Sequence, residues 1–331
     1  MSIPNRIFMN VVALCSVLLA SFTMGCSTTE TQQASRLEQK ATSMVKPEPK
    51  TDGKQRPESY TIYFIAAAKA PNSSVICSMD RNGKNIKSLT KELGHIFVSY
   101  SWSPDGKQLA VCELLNMTIS STGMEYEYGI DLYDAEGNNL RRLTTQKHAI
   151  GYISWSPASE LLAFSMTGKD NRENIYTLNV ADSSIKQVTT EGGQNPSWAL
   201  DGSTLVFSNP KASGKDAFGI YSIDSDGQKL VRLLETENAS RDPCYSPDGR
   251  KIVFLYLDNP GQPGFSIRVF NLDDSSQVTI TSKVSSKALP SWSPDGSEII
   301  FYSDSQGISR IDTAGKNILA LKIAGGSPKA R

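Results

Sequence analysis

Apolar residues in this chain fall into runs of four to six, set apart by clusters of Gly, Pro, Asn, Asp and Ser, and beyond the first 25 residues no useful helical periodicity appears. The runs rich in β-branched and aromatic residues follow a recurring phrase. Ser101-Trp102-Ser103-Pro104-Asp105-Gly106 precedes Leu109-Ala110-Val111, and Ser154-Trp155-Ser156-Pro157 precedes Leu161-Leu162-Ala163-Phe164. Ser197-Trp198 with Asp201-Gly202 leads into Leu205-Val206-Phe207, and Tyr245-Ser246-Pro247-Asp248-Gly249 into Ile252-Val253-Phe254. Ser291-Trp292-Ser293-Pro294-Asp295-Gly296 precedes Ile299-Ile300-Phe301. The aromatic position recurs in steps of 53, 43, 47 and 47 residues. A period in the forties with turn residues at fixed offsets marks a stacked or radial repeat.

The phrase predicts strand, tight turn, strand. Proline presets the first turn position, aspartate bonds back to backbone amides, and glycine takes the positive φ that ends the turn. The bulky Trp or Tyr before the turn is expected to fill space between neighbouring sheets. A third strand with a polar turn occurs six times, over 75–80, 129–134, 174–180, 219–224, 266–272 and 307–312. A short fourth strand follows, clearest at Ser88-Leu89-Thr90, Arg142-Leu143-Thr144 and Gln187-Val188-Thr189. Thr61 to Ile65 matches the strand after the turn, so a sixth unit begins there without an inner strand of its own. The expected fold is all-β: a six-bladed propeller of four-stranded antiparallel blades over residues 60–331. Ala324-Gly325-Gly326-Ser327-Pro328 echoes Gly192-Gly193-Gln194-Asn195-Pro196, which enters a Trp strand; residues near 324–331 should therefore supply the missing strand and close the ring.

Residues 1–25 read as a secretory signal: Arg6, a mostly apolar stretch from Val11 to Phe22, then Thr23-Met24-Gly25-Cys26. A small residue before Cys26 resembles the bacterial lipoprotein signal, which implies lipidation of Cys26 and a periplasmic, lipid-anchored protein. Ser27 points to the outer membrane. Residues 26–59 are Ser, Thr, Gln, Lys, Glu and Pro with few apolar residues, and read as a disordered tether with a reach of about 30 Å.

Charge and chemistry narrow the function. Lys plus Arg and Asp plus Glu both number 34 and are interspersed, so no basic stripe offers itself to nucleic acid. Cys77, Cys112 and Cys244 lie in or beside apolar strands of different units and suggest no disulfide framework. No nucleophile elbow, phosphate loop, His-Glu-x-x-His or Cys-x-x-Cys occurs. The two histidines, His95 and His148, each precede a repeat Trp by seven residues, at the expected channel mouth, where Arg241 and Lys287 join them as candidates. Two imidazoles could hold a divalent ion there, but the equivalent later positions are Glu191, Asn238 and Ser285, and the reading adopted is a polar loop position with no metal or cofactor. The long connections, 116–128, 209–217 and 258–264, fall on the face opposite the Pro-Asp-Gly turns. The first is the largest, and its Met124, Tyr126 and Tyr128 suit a protein interface.

The Trp-Ser-Pro-Asp-Gly phrase, the apolar strand, Ile220-Tyr221-Ser222-Ile223-Asp224 and the Leu-Thr strand together resemble the repeat of the TolB propeller family. The resemblance covers residues 60–331 and leaves no room for that family's separate N-terminal α/β domain. It implies a non-catalytic, monomeric binding module in the bacterial envelope, whose partner is an envelope protein such as a peptidoglycan-associated lipoprotein. The same repeat also occurs in sugar-lyase propellers, which sets a carbohydrate site at the channel mouth as the alternative.

Overall fold

The Ser-Pro-Asp-Gly turns are locked by their first and third residues. In the computed structural model, which describes residues 60–331 apart from 71, 92–93, 121–122, 169–170, 210–218, 237 and 263, Ser103 Oγ donates to Asp105 Oδ1 (2.7 Å) and accepts from the Gln108 amide (2.9 Å). The Lys107 amide donates to the same Asp105 oxygen at 3.1 Å. Ser246 with Asp248 and Ser293 with Asp295 repeat the arrangement. The serine hydroxyl and the backbone amide hold the Asp105 and Asp248 carboxyls below the usual carboxylate range.

These turns join strands into six four-stranded antiparallel sheets, and no helix occurs among the described residues. From the inside outwards, blade two is Ile96–Trp102, Gln108–Ser120, Gly123–Asp134 and Asn139–Gln146. Blade three is Ile150–Trp155, Leu161–Thr167, Glu173–Asn179 and Ile185–Gln187. Blade four is Gln194–Trp198, Thr204–Asn209, Gly219–Asp224 and Val231–Glu235. Blade five comprises Ser240–Tyr245, Lys251–Leu257, Phe265–Asn271 and Gln277–Val284; blade six comprises Ser291–Trp292, Glu298–Ser303, Gly307–Asp312 and Ile318–Ala320. Blade one has Thr61–Ala67, Ser74–Asp80 and Lys87–Ser88, with Gly326–Ala330 as its inner strand. The strand boundaries agree with the sequence reading to within a few residues, except in blade two, where the strands run on into the long connection. Cys77, Cys112 and Cys244 of the propeller are thiols, and Cys77 and Cys112 are buried. The signal peptide, Cys26 and the tether lie outside the described residues.

Packing between blades explains the aromatic of the phrase. Trp155 Nε1 donates to Ser101 O (2.8 Å), Trp198 Nε1 to Ser154 O (3.1 Å) and Trp292 Nε1 to Cys244 O (3.1 Å). Each indole therefore fills the wedge between two sheets and ties its blade to the one before. Phe164, Phe207, Phe254 and Phe301 are fully buried on the second strands, and each such side chain contributes about 2–3 kcal/mol by leaving water. The outer turns are as tight. Gly137 has φ +84, and a Cβ there would stand 2.0 Å from Leu89 O of the neighbouring blade.

The predicted closure is observed. Gly326–Ala330 pairs antiparallel with Thr61–Ala67, with Ile62 opposite Ala330 and Tyr63 opposite Lys329. Thr61 and Arg331 exchange both backbone hydrogen bonds at 2.9 Å. Gly325 passes Phe64 so closely that a Cβ would lie 2.5 Å from its ring. A second tie crosses the same seam: Glu298 of blade six, buried, accepts from Tyr60 Oη (2.6 Å), Arg81 Nη2 (3.2 Å) and Arg310.

Candidate functional site

Blade two departs from its sisters. Its second and third strands have 13 and 12 residues, against six or seven elsewhere. The pairing continues to Ser120 opposite Gly123, after a bulge between Leu114 and Asn116. At about 3.3 Å per residue the excess makes an arm on the order of 15–20 Å long beyond the blade.

Directly paired residues share a face of such a ribbon. Met117 opposes Tyr126 and Ile119 opposes Met124 on one side; Asn116 opposes Glu127 and Thr118 opposes Glu125 on the other. The arm thus has an apolar face and an acidic one. The apolar face is continuous with Tyr128 and Ile130, which pack with Ile150, Ile153 and Trp155 of blade three. Ile119 is 77% exposed, Met117 46% and Met124 40%. Tyr126 is half-buried and donates its hydroxyl to Met124 Sδ at 3.5 Å. Tyr128 differs from the expectation for a contact residue: at 1% exposure it belongs to the core and roots the arm.

The opposite face of the root carries a buried charge network that sequence reading missed. Glu113, with no exposed surface, accepts from Arg142 Nη2 (2.6 Å) and pairs with His95 Nδ1. Asp131 accepts from Arg142 Nε (2.7 Å) and Nη2 (2.9 Å), and from Asn139 Nδ2 (2.8 Å). Burial pushes the Glu113 carboxyl up, as does the neighbouring Asp131. Burial also opposes ionisation of Asp131, but Arg142 outweighs it and holds that carboxyl below its usual range. A two-stranded ribbon is marginal on its own; Tyr128 on one side and this network on the other stiffen it.

The channel is the second polar region. Three residues before each aromatic of the phrase, and at the matching place in Gly326–Ala330, stand Ser99, Tyr152, Asn195, Asp242, Leu289 and Ser327. The last four have φ of 53°, 55°, 46° and 52°, and each precedes proline. Tyr152 of blade three lies within electrostatic reach of Asp242 and Arg241 in blade five and close to Ser327 in blade one. Blades that far apart meet only at the axis. Burial raises the carboxyls of Asp242 and Glu173 and lowers the Lys329 amine to about 8. Lys329 Nζ donates to Tyr100 O at 2.8 Å.

The contacts seen at the predicted channel-mouth residues are separate ones. His95 is drawn into the Glu113 pair and stacks on Phe97. His148 lies in the equivalent crossing of the next blade, partly exposed. Arg241 stacks on Phe265 and donates to Ser286 O, which brings it to the crossing that carries the exposed Lys287. Among the described residues no group of three or more His, Cys, Asp or Glu is arranged to hold a metal. The connection 258–264 runs seven residues between its strands, and most of 209–217 lies outside the described residues.

Six four-stranded blades round an axis, shut by a strand from the far end of the domain, define a β-propeller. Residues 53–327 match the TolB beta propeller domain, and the chain belongs to that family. Among solved structures it is similar to TolB from Acinetobacter baumannii (19% identity, TM-score 0.67), over 82% of this chain and 66% of that one, so it spans just under two thirds of that protein's length. It is also similar to a protein assigned as TolB from Agrobacterium tumefaciens (24% identity, TM-score 0.58, 81% and 90% coverage). An oligogalacturonate lyase in complex with manganese shares the fold at 16% identity and TM-score 0.55, over 73% of this chain and 72% of its own. No curated protein sequence matches the chain significantly.

Proposed function

We propose that this chain is a non-catalytic binding scaffold of the bacterial envelope, exported and held through Cys26, and that the arm of blade two is its contact element. The observation that carries the reading is the arm itself: a stiffly rooted ribbon with Met117, Ile119 and Met124 exposed on one face. Exposed apolar side chains held rigidly on one side of a ribbon suit recognition, because little conformational freedom is lost on binding. Family likeness favours an envelope protein such as a peptidoglycan-associated lipoprotein as the partner. The test is a photo-crosslinking amino acid at position 119 of the full chain in intact cells. A discrete adduct that disappears when Met124 is replaced by Glu is expected. Absence of any adduct, with adducts forming from a control position such as 200, would place the contact elsewhere.

A second reading, a carbohydrate site at the axis, has one observation in its favour, the convergence of Tyr152, Arg241 and Asp242. Calorimetric titration of the protein with acidic oligosaccharides tests it, and heats no larger than dilution would remove it.

A further inference from the structure

We infer that the arm's apolar face and the crossing beneath it form one groove, and that its ligand is an extended peptide segment with apolar side chains flanked by carboxylates; this rests on the reading of the arm as the contact element. The topology sets the groove. The outer strand Asn139–Gln146 ends with Gln146 opposite Tyr128. The chain then crosses to blade three through Lys147, His148 and Ala149, and the Ala149 carbonyl accepts from the Thr167 amide at 3.1 Å. Ala149 and Tyr126 pack on the same shared core of blades two and three. The crossing therefore runs under the side of the arm that carries Met117, Ile119, Met124 and Tyr126.

Charge decides the ligand. The arm's own acids, Glu125 and Glu127, lie on the opposite face. The crossing carries Lys147, exposed, and His148, partly exposed, and neither makes an ion pair among the described residues. An apolar wall above unpaired basic groups complements a segment that alternates apolar and acidic residues.

The experiment uses the full chain and fluorescein-labelled peptides followed by anisotropy. The three probes are Gly-Ser-Leu-Glu-Leu-Glu-Leu-Ser, the same peptide with Lys for Glu, and the same with Ser for Leu. The Leu/Glu peptide should bind at least about tenfold more tightly than either control, a ratio that corresponds to about 1.4 kcal/mol. Lys147→Glu should abolish or invert the Glu-over-Lys preference, and Ile119→Asp should weaken the Leu/Glu peptide about tenfold; unchanged melting temperatures show that both variants fold. Equal binding of the Glu and Lys peptides, a preference unmoved by Lys147→Glu, or binding of the Ser peptide as tight as that of the Leu/Glu peptide would overturn the inference. If the position-119 adduct forms in cells and survives Lys147→Glu, the groove chemistry fails while the arm stands as the contact element. If no adduct forms, the arm reading itself fails.

Discussion

Replacing Arg142 by Met isolates what the buried network does for the root of the arm. The side chain touches both carboxylates, Glu113 at 2.6 Å and Asp131 at 2.7 and 2.9 Å, and both acids are nearly inaccessible, at 0% and 2% exposure. Met keeps the aliphatic stem but leaves two like charges buried side by side. Breaking a buried pair by removing one partner costs about 3–5 kcal/mol. Arg142 is itself 41% exposed, so water takes up part of its role and the loss should fall near the lower end, about 3 kcal/mol. At roughly 2–4 °C per kcal/mol for a domain of this size, melting should fall by about 6–12 °C. The pH dependence is the sharper readout. In the native protein the Asp131 carboxyl is held low, so its contribution is lost only as pH falls through that low value. In the variant both carboxyls are pushed up by burial and by each other. The native state then binds protons more readily than the unfolded chain, and stability recovers on acidification. The deficit of Arg142→Met, measured by urea unfolding at pH 7 and pH 5, should therefore shrink at the lower pH. A deficit below about 1 kcal/mol, equal at both pH values, would refute the reasoning and mean that water already solvates the two acids.

Three further outcomes follow from the packing. Ending the chain after Gly325 removes the paired Thr61–Arg331 bonds and those joining Tyr100 to Ser327, Ser291 to Pro328 and Lys329 to Tyr100; at about 1 kcal/mol net per bond the loss is about 5 kcal/mol, and scanning calorimetry should show melting at least roughly 10 °C lower. Gly137→Ala should cost about 2 kcal/mol or more, since it adds a contact at 2.0 Å to a strained φ, whereas Gly261→Ala, in open space, should cost about 1 kcal/mol by chemical denaturation. Because burial lowers Lys329 to about 8, the folded state sheds this proton before the unfolded chain does. The native protein should accordingly gain roughly 2 kcal/mol over Lys329→Met between pH 8 and 10, and parallel denaturation curves over that range would contradict it.

Much of this fold can be read from the chain because its turns and wedges repeat. The Pro-Asp-Gly phrase marks the first hairpin of the blades, and the missing inner strand before Thr61, set beside the Gly-Gly-Ser-Pro echo at 325–328, points to the closure. The height of a side chain above the disc is not legible in the same way. Met124, Tyr126 and Tyr128 share one parity and hence one face, but four residues of rise separate an exposed methionine from a buried tyrosine. The network at the root is hidden for a different reason. Glu113 stands inside the apolar run Val111-Cys112-Glu113-Leu114, and its partners come from three other segments, so only register brings them together. The one available signal is comparative: the sister positions, eleven residues after each aromatic, are Met166, Asn209, Tyr256 and Ser303, and blade two alone places a charge there.

The strand that shuts the ring has a consequence for timing. Thr61 meets Arg331 across roughly 270 residues, and a chain that crosses a membrane N-terminus first delivers Arg331 long after Thr61, while a hairpin forms in microseconds. Individual blades can therefore fold in order behind the emerging chain while Thr61–Ala67 waits as a bare edge able to pair with the wrong neighbour. Assembly of the propeller is gated by its final segment, and the hazard in making it falls in the interval before that segment arrives.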